Sequence, residues 1–127
     1  MQKGLTLIEI IVVVIILGIL ASFAVPSYRG SRERALDNEA NSNLTLIQAA
    51  ENLYKIENSA FYGSNVHNDL NSTLNVSLSL SANPAWQYQT TVNAAGTAVC
   101  AQATRNVAGG RSWHLNDTDN DATTGPC

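Results

Sequence analysis

The sequence predicts an α+β protein: a long N-terminal helix with a membrane-length apolar first half, a small antiparallel β cap, and a C-terminal loop bounded by cysteines. Three observations carry this reading. Residues 10–25 contain no charged side chain, residues 36–54 place apolar side chains at spacings of three and four, and residues 86–115 break into short alternating runs separated by turn residues. A chain of 127 residues has room for one domain. Only 13% of it is charged, against about 25% in an ordinary soluble domain. Seven Lys and Arg against ten Asp and Glu leave a net charge of -3, so no surface is available to neutralise a run of phosphates and no nucleic-acid binding is expected.

Residues 5–25 are interrupted only by Thr6, Glu9, Gly18 and Ser22. At 1.5 Å per residue the stretch spans roughly 30 Å, the thickness of a bilayer's hydrocarbon core. So small a chain cannot surround a helix of that length that is apolar on every face. A secretory signal peptide would need a cleavage site after the apolar run, and Val25-Pro26-Ser27-Tyr28 offers a poor one because Pro26 interrupts the small-x-small pattern. Glu9 stands out, since a carboxylate in an apolar segment costs about 3 kcal/mol at the helix centre and calls for a cationic partner or an escape to the headgroups. The nearby cations within the chain are Lys3 and the amino terminus. Were the chain cut between Gly4 and Leu5, the new amine would lie four residues from Glu9. In a bundle of staggered copies, each Glu9 could meet the amine of a neighbour.

Lys3-Gly4-Leu5-Thr6-Leu7-Ile8-Glu9, the apolar run that follows, and Ala24-Val25-Pro26-Ser27-Tyr28 resemble the prepilin signature of type IV pilins and type II secretion pseudopilins. Leu5 stands where the family most often has Phe. The resemblance implies that a prepilin peptidase removes residues 1–4 as a leader, cutting between Gly4 and Leu5, and that the Leu5 amine is methylated. Glu9 is then expected to pair with the Leu5 amine of an adjacent subunit. Thr6 would supply a hydrogen bond there or cap the helix. Gly18 and Pro26 weaken the helix between them. In the family that interval often loses helix within filaments, while a gentle kink is expected for the isolated subunit.

After Pro26 the helical pattern resumes with a polar face. Leu36, Ala40, Leu44, Ile47, Ala50 and Tyr54 form the stripe, with Leu46 and Leu53 beside it, and Glu33, Asp37, Glu39, Asn41, Asn43, Gln48 and Glu51 are read as lying largely outside it. The expected organisation is a leader at 1–4, a transmembrane and assembly half of the helix at 5–28, an amphipathic half at 29–58, and a globular cap at 59–127 that includes the loop 100–127. Residues 58–84 read as an irregular connection with a short strand in the alternation Leu74, Val76, Leu78, Leu80. Strands follow at 86–92, 97–104 and about 111–115, joined by turn chemistry at Asn93-Ala94-Ala95-Gly96 and Ala108-Gly109-Gly110. Packed on the helix stripe, they would bury Trp86, Tyr88, Val92, Val99 and Trp113.

Two signals conflict over sidedness. Arg29, Arg32 and Arg34 follow the apolar segment and would hold the cap in the cytoplasm. Cys100 and Cys127, the sole cysteines, are most simply a disulfide made in an oxidising compartment, and the resemblance implies the same outward topology. Such a bridge would add roughly 3 to 4 kcal/mol on a chain-entropy estimate. It also resembles the disulfide-bounded C-terminal region of type IV pilins, which many pseudopilins lack. Asp117, Asp119 and Asp121 alternate as at the start of a calcium loop, but Ala122 stands where that loop needs glycine, so a solvated polar turn is expected and no metal or cofactor is assigned.

His67 and His114 have no motif-like nucleophile or metal partner, so no enzyme is expected, and His114 reads as a surface strand residue. The expected function is that of a structural subunit of a type IV pilus. Its partners would be other copies of itself in a helical filament, the prepilin peptidase, the pilus assembly machinery and, before assembly, the inner membrane. Two alternatives are a major pseudopilin in a periplasmic type II secretion pseudopilus and a monomeric membrane-anchored binding module.

Overall fold

A computed structural model describes Gly4 and residues 6–78 and 84–127, and for Ala24, Val25, Pro26 and His67 the backbone only. Element order is α1 (Leu7–Asn58), α2 (His67–Thr73), β1 (Trp86–Val92), β2 (Val99–Arg105), β3 (Ser112–Asn116) and β4 (Thr123–Thr124). The four strands form one antiparallel sheet in sequential order. A long N-terminal apolar helix, a small antiparallel sheet and a C-terminal disulfide together make the pilin fold. The helix runs without interruption through Gly18 and Pro26. The chain divides into two compact units, residues 1–35 and 36–127.

In the second unit the stripe meets the sheet. Ala40, Leu44 and Ile47 from α1 pack with Leu70, Trp86, Tyr88, Ala101, Ala103 and Leu115 in one core. Strand pleating selects the inward set, because alternate residues of β1 and β2 face one side. The two aromatic polar tips are satisfied: Trp86 Nε1 donates to the Leu36 carbonyl at 2.8 Å, and Tyr88 Oη accepts from Asn43 Nδ2 at 2.8 Å. Trp113 and Val92, expected as core, are partly buried, and Leu46 and Leu53 lie exposed beside the stripe.

Three readings of the second unit are corrected. Residues 58–84 hold a helix, α2, where an irregular connection was expected. Leu74, Val76 and Leu78 are buried alternately, as the period of two implied, but no strand forms at 74–78. Asn71 holds this segment in place of a ladder, its Oδ1 accepting from Leu78 N at 2.9 Å and its Nδ2 donating to Leu78 O at 3.0 Å. Leu80 lies outside the described residues. Third, Glu51 is fully buried, not on the polar face.

The turn at 93–96 closes as its composition implied. Gly96 takes φ +68°, and Asn93 Oδ1 accepts from the amides of Thr97 and Ala98 at 2.8 and 3.2 Å.

Candidate functional site

The first candidate site is the start of α1. Thr6 precedes the helix and its carbonyl accepts from Glu9 N at 3.2 Å and Ile10 N at 3.3 Å. That places Thr6 at the cap and Glu9 at the third helical position, the spacing of a capping box. Thr6 Oγ1 lies 3.5 Å from Glu9 Oε2 and donates towards it. A carboxylate in the first turn also faces the positive end of the helix dipole. Thr6 thus stands at the cap position of α1, with its hydroxyl turned to the Glu9 carboxylate of the same chain. Thr6, Ile8, Glu9, Val12 and Val13 border a shallow apolar depression. Lys3 and Leu5 lie outside the described residues, so the structure does not place the expected amine.

From Leu7 to Phe23 every large apolar side chain is exposed, from 77% at Leu7 to 45% at Ile11. The helix is long and apolar enough to cross a membrane, and none of that apolar window is covered by the chain itself. Gly18 leaves its own surface open, and the Gly18 carbonyl accepts from Ser22 Oγ at 2.9 Å, which ties up the one hydroxyl in this stretch.

The second candidate site is the C-terminal loop. Cys100 on β2 and Cys127 are joined, with Cα atoms 6.0 Å apart. Gln48, on α1, donates from Nε2 to the carbonyls of Asn116 and Asp119 at 2.6 and 2.9 Å, tying the loop to the helix. Asp119 Oδ2 accepts from Asn116 Nδ2 at 2.7 Å. Among the described residues no group of three or more His, Cys, Asp or Glu side chains could hold a metal ion, so Asp117, Asp119 and Asp121 are not gathered into a site. His114 is part-buried rather than on the surface. Its Nδ1 lies 3.1 Å from the Gly125 carbonyl and its Nε2 3.0 Å from Thr123 Oγ1, so the ring clamps β4.

Sequence reasoning missed Glu51, Gln48 and His114. The signal for Glu51 was present, since 44, 47 and 51 follow the spacing of the buried face, but its charge argued against burial.

Comparison with known proteins agrees with the N-terminal geometry. Residues 1–25 match the family described as "Prokaryotic N-terminal methylation motif". The chain thus carries a prepilin-type N-terminal methylation motif. Over 60 residues, 47% of this chain, it is 45% identical to the type II secretion system core protein G of Vibrio cholerae, of which the match covers 41%. It is 43% identical over 60 residues to the protein of that name from Klebsiella pneumoniae, covering 47% of this chain and 43% of that one. With that of Escherichia coli it shares 42% over 57 residues, covering 45% and 39%. The matches span less than half the length of these curated relatives. No solved structure matches the chain.

Proposed function

We propose that this chain is a filament subunit assembled through its N-terminal helices, and that the filament is a type II secretion pseudopilus. The observation that carries the filament reading is the exposed apolar half of α1, with one carboxylate, Glu9, in its first turn. Such a surface needs either lipid or other copies of itself. On this reading the peptide bond between Gly4 and Leu5 is hydrolysed by a prepilin peptidase, the Leu5 amine is methylated, and the subunit waits in the inner membrane. On assembly, Glu9 of one copy pairs with the Leu5 amine of the next. Gly18 and Pro26 mark the interval of α1 that opens most easily.

The relatives favour the pseudopilus over the extracellular pilus expected from the sequence, because those found at 40–45% identity are secretion proteins. One observation supports the pilus as a second reading, the disulfide that bounds the C-terminal loop. A monomeric anchored module leaves Glu9 without a counter-charge and the Gly4-Leu5 junction without a purpose.

The test combines processing and assembly. Intact mass of subunit extracted from filaments should correspond to a chain beginning at methylated Leu5. Glu9→Ala should leave subunit in the membrane yet cut filament yield, since a buried neighbouring amine would lose its counter-charge, a loss of about 3 to 5 kcal/mol when fully buried. Normal yield from Glu9→Ala would show that the carboxylate plays no part in registry. Deletion of the chain separates the branches: loss of protein export with surface fibres intact supports the pseudopilus, and the reverse supports the pilus.

A further inference from the structure

Glu51 lies outside everything the filament reading uses. It is 0% exposed, in the second half of α1, and meets a strap, residues 60–64, that is bridged to β1 through Ser64 and Thr90. Its Oε2 accepts from the Tyr62 amide at 2.8 Å. Its Oε1 is buried with no hydrogen-bond partner. The Thr90 hydroxyl on β1 interacts with the carboxyl, but donates its one proton to the Tyr62 carbonyl at 2.9 Å while accepting from Ser64 N at 3.0 Å. The strap has two further backbone ties, Thr90 N to Ser64 O at 2.8 Å and Phe61 N to Gly96 O at 3.1 Å.

These bonds suit a neutral carboxyl better than a charged one. A hydroxyl oxygen has two lone pairs, so Thr90 can accept from both Ser64 N and a protonated Glu51 while still donating to Tyr62 O. An ionised Glu51 can only accept, and it keeps the Tyr62 amide while competing with the Tyr62 carbonyl for the Thr90 proton. Among the described residues no compensating charge faces it. On α1, Lys55 directs its ammonium to the Thr97 carbonyl at 3.2 Å and over the Phe61 ring at 4.0 Å, and Glu57 is exposed. The strap contributes the Tyr62 phenol, whose ring packs on that of Tyr54 at 5.5 Å. The neighbours of Thr90 on β1, Gln89 and Thr91, are uncharged. Beyond the strap, α2 carries His67 and Asp69, and the Asp69 carboxylate accepts from Ser64 Oγ at 3.4 Å.

We propose that Glu51 is a protonation-controlled latch on the strap: the neutral carboxyl holds residues 60–64 closed against α1 and β1, and the carboxylate loosens them. Burial drives the same way, raising the Glu51 carboxyl from 4.5 to about 7, against smaller opposing effects of the Tyr62 amide and the Thr90 hydroxyl. The cap therefore carries a device that responds to pH around neutrality and that needs no ligand.

The test is native-state hydrogen exchange of the full chain in detergent micelles, comparing wild type with Glu51→Gln, which keeps the shape and the acceptor for Tyr62 N. Opening exposes Glu51 to water, so the wild-type opening equilibrium at Tyr62 and Ser64, relative to Glu51→Gln, should climb about tenfold per pH unit between about pH 5 and 7 and then level off. A ratio constant across that range overturns the latch. Should Glu51→Gln not fold, the Tyr62 amide is compared with the Ile47 amide within the wild-type chain, with the same expected climb and the same overturning result. The 13C shift of the Glu51 carboxyl gives an independent reading: a titration midpoint near 7 supports the proposal, and one near 4.5 overturns it.

Discussion

The two halves of α1 are one element with two different solvents. Residues 7–23 present Leu7, Ile8, Ile10 and every later large apolar side chain outward. Residues 36–58 alternate faces, with Ala40, Leu44, Ile47 and Glu51 buried and Leu46, Leu53 and Ile56 exposed. Both halves satisfy their backbone internally, as any α-helix does. The difference teaches that helix formation is settled locally while burial is not. The amphipathic half has its partner within the chain, in the sheet, and the apolar half must find one outside it. A protein built this way can change the partner of one half, lipid for other copies, without refolding the other.

The sharpest way to break that comparison is to truncate matched aromatic side chains in each half's territory. Trp86 is 1% exposed against α1 and donates to the Leu36 carbonyl, so Trp86→Ala should lower the unfolding free energy of the cap by about 4 kcal/mol through cavity formation and a lost hydrogen bond. Phe23, at 74% exposed, should cost less than about 0.5 kcal/mol when replaced by Ala. Urea unfolding of the detergent-solubilised chain, followed by the cap's far-UV signal, measures both. Equal losses would mean that the apolar half is covered by the chain after all.

The bridge should have the next largest effect. Joining Cys100 to Cys127, 27 residues apart, closes a loop whose entropy is worth about 3.5 kcal/mol in the unfolded chain. Cys100→Ser with Cys127→Ser should remove that amount from the cap and leave the membrane association of the apolar half unchanged. Protease digestion at matched denaturant reads the first, and fractionation reads the second. A cap as stable as wild type would show that Gln48 and His114 hold the loop without the covalent link.

How legible these regions were follows the same division. The apolar half was readable to within the described residues because a membrane-length run has few alternatives. On the amphipathic half the spacing located Leu44 and Ile47, and β1 emerged with its bounds because alternation and Trp86 agree there. Glu51 was misread because residue type was allowed to outweigh position. Among short elements, α2 has Leu70 as its one large apolar residue and Val66 at its N-cap makes no side-chain capping bond, so no periodicity could mark it. β4 is two threonines held by His114, and only tertiary contact makes it a strand. Leu74, Val76 and Leu78 show the limit of the period of two, since alternation reports alternate burial and not a paired ladder.

The smallest effect expected is at the edge where the amphipathic half first meets the cap. Arg111 Nη2 lies 3.0 Å from Asp37 Oδ1, with the Arg side chain 51% and the Asp side chain 19% exposed. Solvent screens a pair this open, and holding two long side chains together costs rotamer freedom, so the coupling should be below about 1 kcal/mol. The measurement is a double-mutant cycle with Arg111→Ala and Asp37→Ala at low ionic strength, repeated in about 1 M salt where the screening length falls to about 3 Å. A coupling that vanishes with salt is what a surface ion pair predicts. A coupling above about 2 kcal/mol that survives salt would mean that the contact is shielded from solvent. That outcome would sharpen the comparison by showing that the cap already shields α1 from solvent at Asp37, one residue after the Leu36 carbonyl that accepts from Trp86.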